Sequence, residues 1–196
     1  FGAEQFLMNR CRDRENFEKL CGLINGFKSY FMRYGEKIDE NPSPGNKAGG
    51  ITTLEDKSLG CIQKSGSAPV EDVLSYGEPV RARGLNLLEA PGNDLVASCA
   101  LAASGAQLVL FTTGRGTPFA SPVPTLKISS NSDLAARKKC WIDFDAGRML
   151  SEGTERSSLS RELFDLVLSV ASGKEKAKSE RLEKSEFAIF KNGITL

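Results

Sequence analysis

Three polar segments of this sequence hold the side chains that could take part in chemistry. They cover residues 40–57, Pro91–Asp94 and Thr112–Pro118, and each contains glycine, which lets backbone N–H groups approach a ligand closely. The third segment carries Arg115, whose planar guanidinium suits a carboxylate or a phosphate. Together the three segments predict a site for a small, acidic, hydroxylated molecule.

The second and third segments each follow a predicted strand. Pro91–Asp94 also leads into a predicted helix, whose N-terminus favours an anion. In an open parallel sheet, ligands bind beyond the carboxyl ends of the strands. We therefore expect Asn93 and Arg115 to meet at one rim of such a sheet, together with Asn46 from the first segment.

Each segment also has an alternative interpretation. Pro91–Asp94 is typical of an ordinary turn with a helix cap, and residues 40–50 could form a structural Ω-loop that binds nothing. Gly114–Gly116 is not the GxGxxG nucleotide-binding pattern, and Gly45–Gly50 lacks the spacing and the final Lys-Ser/Thr of a P-loop. A phosphate-binding loop of either kind is therefore disfavoured.

The composition excludes several classes of function. Lys and Arg number 26 and Asp and Glu number 25, so the net charge of +1 gives no bulk attraction to nucleic acid or to an anionic membrane. The absence of histidine excludes a Ser-His-Asp triad, a Cys-His dyad and any His-ligated metal site within these 196 residues. No apolar run approaches the roughly 18–20 residues that span a bilayer.

The cysteines predict the cellular compartment of the protein, and the first residue predicts that the chain belongs to a longer polypeptide. Five cysteines without a CxxC pair disfavour a zinc ribbon, and their odd number, with no signal-peptide pattern, favours a reducing cytoplasm. The sequence starts at Phe1, inside a predicted helix. We therefore expect the chain to be the tail end of a longer polypeptide.

Residues 1–39 are predicted to form a helical lead-in, with a long helix that Asp13 caps and that runs to about Tyr34. Residues 40–66 are predicted as an irregular Pro/Gly loop followed by a helix, in which Thr52 and Glu55 stand in capping-box register. Residues 70–76 are predicted as one more short helix.

Residues 85–196 are predicted to form a βαβ core followed by C-terminal helices. The elements expected there are strands at 85–88, 107–111 and 126–129, helices at 95–103, 133–139 and 158–172, and a last edge strand at 187–190. The first two strands and the helix between them form the predicted βαβ unit. The fold class is α/β, with a Rossmann-like, mainly parallel sheet flanked by helices.

Several of these motifs together resemble the altronate dehydratase and galactarate dehydratase family. The motifs are Glu40–Asn46, Gly49–Glu55, Lys57–Cys61, Ala90–Asp94, Thr112–Pro118, Trp141–Gly147 and Ile189–Gly193. The forms of Ser58–Cys61 and Ala90–Asp94 look closer to the altronate branch than to the galactarate branch.

The resemblance implies a cytoplasmic, iron-dependent hydro-lyase of sugar-acid catabolism. Such an enzyme removes water from D-altronate and gives 2-keto-3-deoxy-D-gluconate. The alternatives are a galactarate dehydratase, a sulfolactate sulfo-lyase relative, or a non-catalytic ligand-binding or oligomerisation module. The resemblance also implies the domain organisation of the family, which is a small N-terminal β-rich domain, a linker and a large C-terminal α/β domain.

The chain looks like the later part of that C-terminal domain. Its expected partners are a small sugar acid, the missing N-terminal part of the same polypeptide and, where apolar faces are left uncovered, further copies of itself. We expect no nucleic acid or membrane partner and no activity of the isolated chain.

The dehydration that the resemblance implies requires a base, an acid, a metal site and substrate contacts, and residues of the three segments are candidates for these roles. A base must remove a proton beside the carboxylate and an acid must protonate the leaving hydroxyl, for which Lys47 or Lys57, if desolvated, are candidates together with Glu55. Glu55 is also a candidate helix cap and a candidate metal ligand. The remaining expected roles are the Fe2+ ligands Glu40 and Asp94 and the substrate-binding residues Asn41, Asn46, Asn93, Thr112, Thr113 and Arg115.

Overall fold

The computed structural model describes residues 2–38 and 42–193, which form two compact units. The first unit is built from the residues up to Glu89 and the tail from Lys191, and the second is Ala90–Phe190. The first contains α1 (Glu4–Met8), α2 (Arg14–Arg33), α3 (Pro44–Ala48), α4 (Leu54–Gln63), β1 (Val70–Leu74) and β2 (Leu85–Leu88). The second contains α5 (Asp94–Ala103), β3 (Val109–Thr113), β4 (Thr125–Ser129), α6 (Ser132–Arg137), β5 (Phe144–Asp145), a 3₁₀-helix (Ala146–Leu150), α7 (Arg156–Ala171) and α8 (Lys178–Arg181).

In the first unit, the long helix α2 packs on a two-stranded parallel sheet. Asp13 caps α2 by accepting a hydrogen bond from Asn16 N, as predicted. Leu20 of α2 is buried against Val70 and Val73 of β1, and these three residues form the core of the unit. The C-terminal tail returns to the same helix, since Gly193 N donates to the Tyr30 hydroxyl at 2.9 Å.

The prediction of a short helix at 70–76 is wrong, because β1 occupies this segment. Val70 and Val73 are three residues apart, which also suits a helix face, so the spacing did not separate the two structures. Pairing with β2 places Val70 and Leu74 in fully buried positions and gives the β-branched valines the pleated surroundings they favour.

The segment around the first polar motif differs from prediction in two details. Part of the predicted irregular loop is the short helix α3, which begins at Pro44, because proline has the φ of a first helical turn. Helix α4 begins one residue later than expected. Thr53, not Thr52, is its N-cap and accepts a hydrogen bond from Asp56 N.

The second unit contains a three-stranded parallel sheet in the order β3-β4-β5. All five residues of the central strand β4 are buried. On one face of the sheet, Leu126 packs with Val170 of α7, and Ile128 packs with Leu159 of the same helix. Because side chains alternate along a strand, Thr125, Lys127 and Ser129 point to the opposite face.

The α/β class and the parallel pairing are confirmed, but the predicted βαβ unit is wrong. Strand β2 pairs with β1, whereas β3 pairs with β4 in a separate sheet. The elements β2, α5 and β3 therefore do not form a βαβ unit. The βαβ unit within the described residues is β4-α6-β5. Strand pairing depends on contacts distant in sequence, which the local pattern does not contain.

Two predicted strands also differ from the strands that the structure shows. Strand β3 lies two residues later than expected and is not fully buried, since Leu110 is 48% exposed on an edge strand with one neighbour in its sheet. Residues 187–190 form no strand in the structure. This segment is held by the bonds of Glu186 N to Ala120 O (2.8 Å) and of Ala188 N to the Cys99 sulfur (3.4 Å). Among the helices of the described ranges, none is both long and apolar enough to cross a membrane.

Candidate active site

The carboxyl ends of β3, β4 and β5 bring three polar side chains into one row. Thr113, Ser129 and Asp145 are register partners across the sheet, so they share one face at its carboxyl edge. This edge is where ligands bind in open parallel sheets. The row, which we call the carboxyl-edge row, is therefore the centre of the candidate site in the second unit.

The turn after β3 is organised by the first member of this row. Thr113 Oγ1 accepts hydrogen bonds from Gly116 N at 2.9 Å and from Arg115 N at 3.4 Å. Gly116 has a φ of +78°, a conformation that suits glycine. The turn leaves Arg115 exposed, with no ion pair or side-chain hydrogen bond within the described ranges. Its guanidinium is thus available to an anion, as predicted from its type.

The turn after β4 is joined to the turn after β3. Asn131 Nδ2 donates to Gly114 O at 3.1 Å, and Asn131 Oδ1 accepts from Leu134 N at 2.9 Å as the cap of α6. The Ser129 hydroxyl donates to Asn131 O at 2.5 Å. Asn131 therefore fixes the position of the Arg115 turn relative to α6.

The turn after β5 packs against the same helix start. Asp145 Oδ1 accepts a hydrogen bond from Gly147 N at 2.9 Å. A Cβ on Gly147 would lie 2.3 Å from Ser132 N, which is far too close for any side chain. Glycine at this position allows the β5 turn to approach the α6 N-terminus and keeps Asp145 at the edge of the sheet.

Lys127 is the most unusual side chain of this unit. It lies on the central strand, is only 2% exposed, and places its ammonium 5.9 Å from the centre of the Phe119 ring. Burial lowers the pKa of Lys127 from its ordinary value of 10.5, while the carboxylates of Asp143 and Glu186 act in the opposite direction. Lys184 adds to the lowering through charge repulsion.

The remaining residues predicted in the second unit have local contacts. Asn93 is the N-cap of α5, and its Oδ1 accepts from Leu95 N and Val96 N at 3.1 Å each. Asp94 is exposed in the first helical turn. Thr112 is exposed on β3, next to the carboxyl-edge row.

In the first unit, two predicted residues contact each other. Asn46 Oδ1 accepts hydrogen bonds from Lys57 Nζ at 3.1 Å and from the Ser43 hydroxyl at 2.8 Å. This contact joins α3 to α4 and gives Asn46 a structural role. It also leaves Lys57 half-buried, with its ammonium bound to an amide oxygen.

The other residues predicted in the first unit are not part of this contact. Lys47 is exposed on α3. Glu55 is exposed in the first turn of α4, where its side chain packs against Gly2. Glu40 and Asn41 lie outside the described residues.

The convergence of the three polar segments stays a prediction. Asn46 belongs to the first unit, whereas Asn93 and Arg115 belong to the second. What the structure brings together is a different set within the second unit, namely the turns that end β3, β4 and β5.

Sequence reasoning missed Lys127, Asp145 and Gly147. A signal for Lys127 was present, because a lysine interrupts the run Thr125–Ser129 that was otherwise typical of a buried strand. Asp145 and Gly147 lie in the motif Trp141–Gly147, which carried the family resemblance but was given no role. The two-residue strand that positions Asp145 is too short to show a periodic pattern.

The described residues do not fit an iron site on their own. Within 2–38 and 42–193, no three His, Cys, Asp or Glu side chains are grouped as a ligand set. Of the predicted ligands, Asp94 stands in a first helical turn without such neighbours, and Glu40 is outside these ranges. Iron takes several protein ligands at once. An iron site would therefore need ligands from outside the described residues.

Comparison with known proteins identifies relatives along the whole chain. A profile of the family described as D-galactarate/Altronate dehydratase, C-terminal, matches residues 1–195. Over 196 residues the chain is 58% identical to Altronate dehydratase of Escherichia coli (strain K12) and 54% identical to Altronate dehydratase of Bacillus subtilis (strain 168). It covers 39% of the length of each of these two relatives.

A third relative is more distant. Galactarate dehydratase (L-threo-forming) of Escherichia coli (strain K12) is 39% identical over 180 residues, which are 91% of this chain and 34% of that relative. The family resemblance inferred from the motifs is thereby confirmed. With a profile that matches all but its last residue, the chain belongs to the D-galactarate/altronate dehydratase family, in the part that the profile describes as C-terminal.

Proposed function

We propose that this chain is the C-terminal part of a hydro-lyase that removes water from D-altronate and yields 2-keto-3-deoxy-D-gluconate. The observation that carries the proposal is the difference in identity among the relatives. The two altronate dehydratases are 58% and 54% identical to the chain, against 39% for the galactarate dehydratase. Because the chain spans 39% of those relatives, the reaction is proposed for the full-length polypeptide.

The reaction requires a fixed positive environment around the substrate carboxylate. Removal of the proton beside the carboxylate sends an electron pair into it, so a second negative charge develops there before the β-hydroxyl leaves as water. Hydrogen-bond donors and cations that are already in place stabilise this charge more than mobile solvent does. The protein therefore needs a rigid, cationic carboxylate site.

Arg115 and the turn that presents it are suited to this role. The guanidinium is exposed, and the turn is held by the Thr113 hydroxyl on one side and by Asn131 on the other. Thr112, Thr113 and Asn93 are proposed as further hydrogen-bonding groups for the substrate.

Substrate turnover tests the proposal. The full-length polypeptide, supplied with ferrous iron, is expected to form the 2-keto-3-deoxy product from D-altronate and little or none from galactarate. Formation of product from galactarate at an equal or higher kcat/KM would contradict the assignment to altronate, and the absence of product from both acids would contradict the reaction class.

The variant Arg115→Ala tests the carboxylate site in the same assay. Loss of a charge-assisted hydrogen bond of about 1.5–3 kcal/mol is expected to lower kcat/KM by about 10–150-fold, through a lower kcat as well as a higher KM. The control is Arg161→Ala, which removes an exposed arginine on α7 and is expected to leave both constants unchanged. Unaltered kinetics in Arg115→Ala would remove this turn from the site.

A further inference from the structure

Lys127 is a buried cation that the fold does not neutralise by direct contact. Within the described ranges its ammonium has no hydrogen bond and no ion pair, although the side chain is only 2% exposed. The carboxylate of Asp143, which acts on Lys127 electrostatically, is occupied by two backbone donors, Lys127 N at 2.8 Å and Lys178 N at 2.7 Å. A buried, unpaired charge is costly, and proteins keep such groups chiefly at functional sites.

The position of Lys127 connects it to the candidate site. It lies two residues before Ser129 on the same face of β4, so its Cα is about 6.6 Å from the carboxyl-edge row. The flexible four-carbon stem of a lysine can extend along the strand toward that row. The aromatic pair Phe111 and Phe119, with ring centres 5.0 Å apart, provides the apolar surroundings on this face.

A lysine that acts as the base in the proposed dehydration must react as the free amine, which desolvated surroundings favour. Lys47 is exposed and Lys57 is bound to Asn46, so neither has the dry surroundings that favour a neutral amine. Lys127 has them, and burial lowers its pKa. The charged groups that act on it are Asp143 beside it on the sheet and Glu186 and Lys184 on the C-terminal segment.

We propose that Lys127 is the base that takes the proton from the carbon next to the substrate carboxylate at the carboxyl-edge row. This role rests on the proposed function. The C–H bond breaks, an N–H bond forms on the lysine amine, and the electron pair moves into the carboxylate as an enediolate. The same proton then passes from the ammonium to the departing β-hydroxyl, which leaves as water, and the resulting enol becomes the 2-keto acid.

The first test compares two variants of the full-length enzyme with the wild type in altronate turnover. Lys127→Met keeps the stem volume but removes the amine and is expected to lower kcat by about 10²–10⁴-fold. Lys174→Met, which removes an exposed lysine, is the control and is expected to leave kcat unchanged. Thermal unfolding of each variant verifies that it is folded.

Chemical rescue distinguishes a base from a structural residue. Treatment of Lys127→Cys with 2-bromoethylamine restores an amine at this position, with mass spectrometry confirming the modification. It is expected to restore turnover and to shift the acidic limb of the kcat/KM profile to lower pH, because the thioether weakens the base. The same treatment of Lys127→Met is expected to restore nothing.

The outcomes separate this role from the reaction class. Turnover near the wild-type rate in folded Lys127→Met overturns the proposal, and so does an inactive, modified Lys127→Cys variant. Wild-type enzyme that dehydrates no sugar acid overturns the proposed function, and with it the role of Lys127 in that reaction.

Discussion

At the scale of single residues, Lys127 links stability to the proposed chemistry. An ammonium that is buried beside aromatic rings, without a hydrogen-bond partner in the described part of the chain, destabilises the folded state. Its folded-state pKa lies below the ordinary value of 10.5, so at neutral pH the unfolded state holds the proton more firmly. The cost is therefore largest at low pH and disappears as the pH rises from the folded pKa through 10.5.

This reasoning predicts that Lys127→Met stabilises the chain. Replacement of the buried charge by an apolar side chain of similar length is expected to raise the free energy of unfolding at pH 7 by about 1–4 kcal/mol. The gain is expected to shrink as the pH approaches 10.5, and urea unfolding at several pH values measures it. A variant that is less stable than wild type, or a gain that does not depend on pH, would show that the amine is not desolvated.

At the scale of secondary-structure elements, the site depends on how three strand ends are packed. Asn131 joins the turns after β3 and β4, and Gly147 brings the turn after β5 against the start of α6. These contacts hold the carboxyl-edge row on one face of the sheet, while the apolar core packs on the other face. Changes at these turns are therefore expected to affect both stability and the geometry around Arg115.

Gly147→Ala tests this packing. The added methyl would lie 2.3 Å from a backbone nitrogen, so the turn must shift, and unfolding is expected to become easier by about 1–3 kcal/mol or more. Gly22→Ala in α2, where a Cβ meets open space, is the matched control and is expected to stabilise by about 0.5–1 kcal/mol. Equal stability of the two variants would contradict the close approach described here.

The elements that could be predicted from sequence are those with a long periodic pattern or a clear cap. Helices α2 and α5 and strand β4 were predicted because their apolar spacing, the Asp13 cap of α2 and the turn residues beside the other two elements are local signals. Strand β1 was missed because its valine spacing also suits a helix. The assignment of β2 and β3 to different sheets was missed because pairing is decided by tertiary contacts.

The candidate site was predictable only in part for the same reason. Arg115 and Thr113 could be named from sequence, because a glycine-containing turn after a predicted strand indicates a ligand loop, and their role stays a prediction. Asp145 could not be placed, since its strand has two residues and its register with Ser129 is a tertiary feature. Lys127 requires knowledge of burial, which a sequence pattern gives only for apolar residues.

At the scale of the whole molecule, the central claim is the location of the substrate carboxylate. The carboxylate site is assigned to the second unit alone, at the ends of β3, β4 and β5. The family and its relatives support the reaction class, while the location of the substrate comes from the fold.

A crystal structure of the full-length protein with D-altronate, using Lys127→Met to prevent turnover, tests this claim most directly. We predict substrate carboxylate oxygens at about 2.7–3.2 Å from the Arg115 guanidinium, with the α-carbon facing position 127. A substrate bound elsewhere, with Arg115 and the carboxyl-edge row in contact with solvent only, would contradict it.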